Sequence, residues 1–334
     1  MRTCNFVQPL ALMLSLCSVS AFAGDPPAAP QSPPAPALVQ PAAAERTAEK
    51  AVYDESADAS ADIAAALTRA QRNNTRVLVV WGANWCGWCK WLHQKCRSDR
   101  DIATELRTEY EVVRVDVGQF DKHQELLAKY EAGAKTDGIP YLTVLDGTGA
   151  VITNQETSSL ENPAGTEPKG HDAAKILAFL KQHEAPKVDA NEALKAASAR
   201  AKSEGKLVFL HFGAPWCGWC HRLEDWLATP EVSSILSKAF VDLKVDTDRM
   251  PGGEALLKAH SKGENGGVPW SEVLDCNGNA LVNSNGPQGN IGYPAAAEEI
   301  AWFVEMLRKS NAKLSEDDIA ALTESLRAAG KRRQ

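Results

Sequence analysis

Two stretches of this 334-residue chain decide the fold: residues 75–89 read TRVLVVWGANWCGWC, and residues 206–220 read KLVFLHFGAPWCGWC. They align over fifteen positions without a gap, at an offset of 131 residues. Each begins with a continuous apolar segment, typical of a central strand covered on both faces, and ends in a Cys-Gly-Trp-Cys motif. The pattern therefore predicts a strand-to-helix unit that occurs twice in the chain.

The similarity of the two copies extends beyond the motif. A proline follows the first cysteine by 54 residues in one copy and by 52 in the other, as part of the dipeptides Ile139-Pro140 and Val268-Pro269. Agreement over that distance favours duplication of a whole domain over chance recurrence of a short motif.

Composition outlines the rest of the chain. The N-terminus carries Arg2, an apolar stretch and the tripeptide Ala21-Phe22-Ala23, which is the layout of a cleavable secretory signal peptide. A Pro/Ala-rich segment follows and is typical of a linker. Ser315 and Asp318 predict the cap of a last helix ending near Gly330. We therefore predict a signal peptide at 1–23, a linker at 24–50, α/β domains at 51–185 and 186–310, and a helical C-terminal extension at 311–334.

Charge and hydropathy exclude two classes of partner. Lys and Arg total 36 against 43 Asp and Glu, for a net charge of −7, so no basic surface suits a nucleic-acid backbone. No segment after residue 23 approaches a membrane-spanning length, so we expect no transmembrane segment in the mature chain. A signal peptide implies a periplasmic or secreted protein, where cysteines are not kept reduced by a general thiol pool.

The Cys-Gly-Trp-Cys motifs have the pattern of thiol–disulfide chemistry. A cysteine placed where a buried strand turns into a helix lies at the helix N-terminus, where free backbone N–H groups stabilise a thiolate. The thiolate is the species that attacks a disulfide. We predict Cys86 and Cys217 as nucleophiles and Cys89 and Cys220 as the resolving cysteines, with redox-active disulfides and no bound cofactor or metal.

These features resemble the thioredoxin superfamily over residues 52–309. The resemblance implies two tandem domains, each with a central mixed β-sheet flanked by helices. It also implies cis prolines that face the cysteine pair, each preceded by a residue whose backbone binds substrate. The second copy is most similar to the exported branch that includes the reducing domains of periplasmic disulfide-handling proteins. The predicted substrate-binding residues surround the two motifs: Trp85, Trp88, Ile139, Pro140, Trp216, Trp219, Val268 and Pro269.

The chain departs from thioredoxin at the buried acid that precedes the first cysteine by six residues. Val80 occupies that position in one copy and His211 in the other. His211 is therefore a candidate proton acceptor for Cys220, beside the commoner interpretation of a hydrogen-bonded core histidine. The dipeptide between the cysteines is Gly-Trp instead of Gly-Pro, and no clear strand precedes the opening helix of either copy.

The favoured function is an exported thiol–disulfide oxidoreductase that exchanges disulfides with protein substrates. A thiol–disulfide electron donor or acceptor would be its second partner. The sequence leaves open whether it acts as an oxidase, a reductase or an isomerase. The main alternative is a non-catalytic thioredoxin-fold binding module. Structural disulfides and a four-thiolate zinc site are further alternatives. The run from Cys217 to His221 also fits the C-x-x-C-H attachment pattern of a c-type haem, although the first copy has Lys90 in place of the histidine.

Two further cysteines lie outside the motifs. Cys96 follows Cys89 by seven residues, on the same face of the predicted helix, and Cys276 occupies a predicted hairpin turn. We expect both to be unpaired, one buried and one exposed, in preference to a bridge between the domains.

Overall fold

The computed structural model describes residues 51–167, 169–264 and 266–331. The predicted signal peptide (1–23) and linker (24–50) lie outside the described residues. We call residues 51–185 the first region and residues 186–310 the second region. No helix in the described part of the chain is both long and apolar enough to cross a membrane.

The first region alternates helices and strands around a four-stranded sheet. Asp58 begins the first helix by accepting a hydrogen bond from the Ala61 amide, and Asn74 ends it in a left-handed conformation. The elements are α1 (Ala59–Asn73), β1 (Arg76–Gly82), α2 (Gly87–Ser98), α3 (Arg100–Glu109), β2 (Tyr110–Asp116), α4 (Gln124–Lys129), α5 (Ala134–Asp137), β3 (Tyr141–Leu145), β4 (Val151–Glu156), a 3₁₀ turn (Ser158–Leu160) and α6 (Ala173–Gln182).

The second region repeats this layout, and the predicted C-terminal helix follows it. Ser315 caps that helix: its hydroxyl accepts from the Asp318 amide, and Asp318 accepts from the Ser315 amide. The elements are α7 (Ala190–Glu204), β5 (Leu207–Gly213), α8 (Gly218–Leu227), α9 (Pro230–Leu236), β6 (Phe240–Asp246), α10 (Gly253–Ser261), β7 (Trp270–Leu274), β8 (Ala280–Asn283), β9 (Asn285–Gly286), β10 (Gly289–Asn290), α11 (Ala297–Lys309) and α12 (Glu316–Lys331).

The two four-stranded sheets have the same strand order, β2-β1-β3-β4 and β6-β5-β7-β8. In each, the strand before the cysteine motif is central, parallel to one neighbour and antiparallel to the other. The predicted fold class, α/β with sheets flanked by helices, is confirmed.

The apolar strands before the motifs are buried on both faces. Val77, Val79 and Trp81 of β1 pack against α1 on one side, and Leu78 packs with α2, α3 and α6 on the other. Strand β5 divides its side chains in the same way, and α12 adds Leu322 and Leu326 to the core beneath α8, α9 and α11. A continuous apolar run is the pattern such a strand requires.

A buried charge cluster joins the two regions. Arg249, which follows β6, donates through Nε and Nη2 to the carboxylate of Glu109 at 3.0 and 2.8 Å. Lys187, in the connecting segment, lies 2.5 Å from the same carboxylate. The side chains of Arg249 and Glu109 are each only 7% exposed. Burial raises the pKa of Glu109, but these two cations outweigh it and hold that pKa below its usual value.

A second acid near this cluster makes stability depend on pH. Burial, a hydrogen bond with Glu184 and the nearby carboxylates raise the pKa of Glu105 from 4.5 to about 7. Because the folded pKa is the higher one, the stability that Glu105 contributes is complete below about pH 4.5 and is lost as the pH rises through about 7.

We therefore expect the urea midpoint of the wild type, measured relative to that of Glu105→Gln, to fall between about pH 5 and about pH 8, because the other titrating groups are common to both proteins and cancel from the difference. Glu125→Gln, at an exposed position on α4, is the matched control and should leave the fall unchanged. Glu109 titrates below this window, because its pKa is lowered. An equal fall in wild type and Glu105→Gln would show that Glu105 is not the group responsible.

Candidate active site

Each cysteine motif forms a disulfide at the start of a helix. Cys86 pairs with Cys89 and Cys217 with Cys220, with Cα–Cα separations of 5.3 and 5.2 Å. The first cysteine is the N-cap in both cases, and its sulfur accepts a hydrogen bond from the amide of the second at 3.1 Å. A sulfur in this position is stabilised as a thiolate when the pair is reduced.

The predicted prolines lie beside the first cysteines. The Ile139-Pro140 and Val268-Pro269 peptide bonds are both cis. The Ile139 carbonyl oxygen is 3.5 Å from Cys86 Sγ, and the Val268 carbonyl oxygen is 3.5 Å from Cys217 Sγ. The structure thus brings each predicted dipeptide to the first cysteine of its motif, with a backbone carbonyl beside the sulfur.

Exposed tryptophans surround both disulfides. Trp85 and Trp219 are 51% exposed and Trp216 is 66% exposed, although large apolar side chains usually lie inside. Trp85 donates to the Gly118 carbonyl and Trp216 to Asp248, so the indole NH groups fix two of these rings to the loop after the second strand of each sheet. The sites therefore present apolar surface that suits a polypeptide.

The tryptophans between the cysteines have different neighbours in the two sites. Trp88 is half-buried, with its ring edge-on to His171 at 5.6 Å. His171 is fully buried, and that burial lowers its pKa to about 4, so it is neutral at physiological pH. Trp219 stacks on Tyr293 at 6.1 Å and lies under the Arg222 guanidinium at 4.2 Å. The second site is thus more open and more cationic at this point.

The second cysteine of each pair lies against a glycine at the end of the central strand, and the side chain across that glycine differs. A Cβ on Gly82 would overlap the Tyr53 hydroxyl and lie 3.0 Å from Cys89 Sγ. A Cβ on Gly213 would lie 3.4 Å from both Cys220 Sγ and the Glu224 carboxylate. A phenol therefore lines the space beside the second cysteine of one pair, and a carboxylate lines the corresponding space in the other.

Tyr53 reaches the first site from the segment that precedes α1. Asn84, two residues before Cys86, holds it there: the Asn84 side chain accepts from the Tyr53 amide at 3.0 Å and donates to the Tyr53 carbonyl at 2.9 Å. The second copy has Pro215 in place of Asn84, so it has no amide side chain at this position. Burial raises the pKa of Tyr53 far above its usual value, so the hydroxyl stays neutral.

Glu224 is one turn beyond Cys220 on α8 and is only 2% exposed. Its Oε1 lies 2.8 Å from Lys244 Nζ on β6, and its Oε2 has no hydrogen-bond partner among the described residues. The carboxylate oxygen that faces Gly213 is Oε1, the same atom that Lys244 binds.

The first site has no carboxylate at the equivalent place. The residue one turn beyond Cys89 is His93, and the strand position opposite Val80 on β2 is Arg114. Burial, and then the charges of Arg114 and Arg97, lower the pKa of His93, which is therefore neutral above its usual value of 6.5. The first site thus combines a neutral phenol, a neutral imidazole and a guanidinium.

The two histidines singled out in the sequence have different surroundings. His211 is buried on β5 opposite Lys244, and its Nε2 is 3.1 Å from Asp242 without hydrogen-bond geometry. His221 Nε2 is 2.8 Å from the Pro215 carbonyl oxygen, and its Nδ1 is 3.9 Å from Glu224. Glu224, which sequence reasoning missed, is the ionisable group that lines the space at Gly213 beside Cys220.

Cys96 and Cys276 are both unpaired and both partly exposed, so the expectation of one buried and one exposed cysteine is wrong. Cys96 packs with α3 and α6 by its apolar contacts, and Cys276 packs against the core under α7. Burial raises the pKa of the Cys96 thiol to about 11, which makes it a poor nucleophile. No group of three His, Cys, Asp or Glu side chains in the described residues is arranged to hold a metal.

Two family models match the chain. One, described as "Thioredoxin-like", matches residues 58–147, and the other, Thioredox_DsbH, described as a protein of unknown function (DUF255), matches residues 173–326. Together they span both cysteine motifs. The chain belongs to the thioredoxin superfamily. This superfamily member is 30% identical over 93 residues to human spermatogenesis-associated protein 20, a match that spans 28% of this chain and 12% of the human protein.

Two solved structures resemble this thioredoxin-superfamily chain over one region's length. A disulphide isomerase from Xylella fastidiosa Temecula1 is 31% identical, with 39% of this chain and 95% of that chain covered and a TM-score of 0.35. The oxidised C-terminal domain of DsbD from Neisseria meningitidis is 26% identical, with 36% and 99% covered and a TM-score of 0.25.

The two strand-end glycines provide a matched pair of substitutions. Gly82→Ala should displace Tyr53, which is 1% exposed and has no room to move, and so disturb the packing at Cys89. We expect a loss of about 1–3 kcal/mol of unfolding free energy and altered reactivity of the first pair. Gly213→Ala meets its nearest atom, Cys220 Cβ, at 3.1 Å and should cost less. Urea unfolding and alkylation rates of each reduced pair measure both effects, and equal costs would contradict the assigned packing.

Proposed function

We propose that this protein is a thiol–disulfide oxidoreductase that exchanges disulfides with protein substrates at two sites, Cys86–Cys89 and Cys217–Cys220. The observation that carries the proposal is the position of each first cysteine: it is the N-cap of a helix, lies next to a backbone carbonyl and directly follows an exposed tryptophan. A structural disulfide needs none of these features.

The reaction is an exchange of sulfur–sulfur bonds. The Cys217 thiolate attacks a substrate disulfide, one substrate sulfur leaves as a thiolate and takes up a proton, and a mixed disulfide forms. Cys220 then loses its proton and attacks Cys217 Sγ, which releases the second substrate thiolate and leaves the Cys217–Cys220 disulfide. Cys86 and Cys89 perform the same two steps at the first site. A thiol–disulfide electron donor or acceptor restores the starting state of each pair.

Several features support a protein substrate outside the cytosol. The exposed rings of Trp85, Trp216 and Trp219 and the backbone before each cis proline suit an extended polypeptide. Residues 1–23 have the layout of a signal peptide, and oxidised cysteine pairs persist in exported proteins.

Cysteine substitutions test whether the pairs react with substrate. In the double variant Cys89→Ser with Cys220→Ser, the second step is blocked, so mixed disulfides with substrate proteins should accumulate. Non-reducing gels after acid quenching and alkylation reveal them.

The matched control is Cys86→Ser with Cys217→Ser, which removes the nucleophiles and should give no adducts and no exchange with a model protein disulfide. Equal amounts of adduct in both double variants would overturn the assignment of nucleophiles. Absence of adducts in both would favour the non-catalytic binding module.

Glu224 is the proposed proton acceptor for Cys220 in the second step. In Glu224→Gln we expect release of the mixed disulfide from Cys217 to slow by about 10²-fold, the lower end of general-base effects. Tyr53→Phe, the counterpart in the first site, removes a neutral hydroxyl that cannot act as a base and should change release from Cys86 by less than about threefold. Rapid-quench kinetics with a peptide disulfide measures each rate, and unchanged release in Glu224→Gln would rule out this role.

A further inference from the structure

The last turn of α1, in the first region, contacts the redox site of the second. Arg72 Nη1 donates to the Glu224 carbonyl oxygen at 3.0 Å, and its Nη2 donates to Asp225 at 3.3 Å. The Asn73 side-chain oxygen accepts a hydrogen bond from Lys244 Nζ at 3.1 Å. Two consecutive residues of one region thus bind α8 and the cation that faces it.

These contacts lead to the space beside Cys220. Lys244, whose side chain is 14% exposed, lies between Asn73 on one side and the Glu224 carboxylate on the other. Glu224 Oε1 and Cys220 Sγ would each lie 3.4 Å from a Cβ on Gly213. Polar contacts therefore run from Asn73 through Lys244 to Glu224, whose carboxylate lines the same space at Gly213 as the Cys220 sulfur.

The junction between the regions fixes the end of α1 in this place. Arg249 Nη1 donates to the Asn73 carbonyl at 2.7 Å, and Nη2 donates to the Asn74 carbonyl at 2.8 Å. The Arg249 backbone is itself held by Asp246, whose carboxylate accepts from the Arg249 amide at 2.9 Å. The same guanidinium binds Glu109. Arg72 and Asn73 are therefore held against the second site by a buried clamp.

The first site is completed differently. The side chain that flanks Cys89 is Tyr53, which Asn84 holds within the first region. The contacts of Arg72 and Asn73 bear on the second site alone, so they provide a way to alter one redox pair and leave the other unchanged.

We propose that Arg72 and Asn73 are positioning residues that set the dithiol–disulfide equilibrium of Cys217–Cys220 across the junction between the regions. The inference rests on the proposed function. Reduction of the pair by two glutathione molecules breaks the Cys217–Cys220 bond and forms glutathione disulfide, and two electrons and two protons pass to the protein. The reduced pair carries thiolate character that the disulfide lacks, so cations fixed beside α8 favour the reduced state.

The test measures both equilibria in one sample. Full-length wild type, Arg72→Met and Asn73→Ala are equilibrated in glutathione buffers, quenched with acid and alkylated, and mass spectrometry of the two motif peptides gives the reduced fraction of each pair. We expect Cys217–Cys220 to become about tenfold harder to reduce in Arg72→Met, within the usual range of coupling between sites. Tenfold corresponds to about 30 mV for a two-electron couple. Asn73→Ala should shift it in the same direction, and Cys86–Cys89 should change by less than about twofold.

Two matched variants separate this role from a general loss of charge or of packing. Arg69→Met removes the same charge one turn earlier on α1, where Arg69 pairs with Glu111 of the first region, and should leave both equilibria unchanged. Arg72→Lys keeps a cation at the site, so its Cys217–Cys220 equilibrium should lie close to that of the wild type. If Arg72→Met does not fold, the reduced fractions measured in Asn73→Ala, a change of no charge at the end of α1, test the proposal instead.

The outcomes have distinct meanings. A shift confined to Cys217–Cys220, absent in Arg69→Met, supports the positioning role. No shift in either Arg72→Met or Asn73→Ala, or an equal shift of both pairs, overturns it while the proposed function stands. If neither wild-type pair exchanges with glutathione at any ratio, the proposed function fails, and this inference fails with it.

Discussion

The free amide groups at the start of a helix, directed at a sulfur atom, are the constraint on which both sites depend. Cysteine is not among the preferred N-cap residues, and neither α2 nor α8 has an acid in its first turn. No carboxylate in the first turn therefore competes with the cysteine sulfur for the positive end of each helix dipole. This arrangement requires the central strand to end just before the motif, as β1 and β5 do at Gly82 and Gly213.

The same backbone carries two different electrostatic environments. The sheets share one strand order, and the cysteines, cis prolines and indoles recur in the same places. Near the second cysteine of each pair, however, one site has the neutral hydroxyl of Tyr53, and the other has the Glu224 carboxylate with Lys244 beside it. Because proton transfer and thiolate stability depend on such neighbours, the two pairs differ in chemistry while they share a fold.

The sequence predicted what depends on local pattern and missed what depends on tertiary contact. Apolar runs and capping residues located the strands and helices, and the matched spacing located both prolines. The buried acid of thioredoxin corresponds to the strand positions of Val80 and His211, so the resemblance does not point to Glu224. Glu224 had a detectable signal, since an acid one turn beyond Cys220 lies on the apolar face of α8 with Leu223 and Leu227. Tyr53 had none, because it reaches Cys89 from a segment whose position depends on Asn84.

The charge cluster at the junction explains how one region is held at a defined angle to the other. Apolar contacts are non-directional, whereas the Arg249 guanidinium binds Glu109 and two backbone carbonyls at once in a planar, fixed geometry. Loss of Glu109 would leave the Arg249 guanidinium buried without its carboxylate, at a typical cost of about 3–5 kcal/mol, whereas loss of Arg249 would leave Glu109 paired with Lys187. Rotation of the regions would break all of these bonds together. The end of α1 therefore stays against α8, which makes the second redox site a product of both regions.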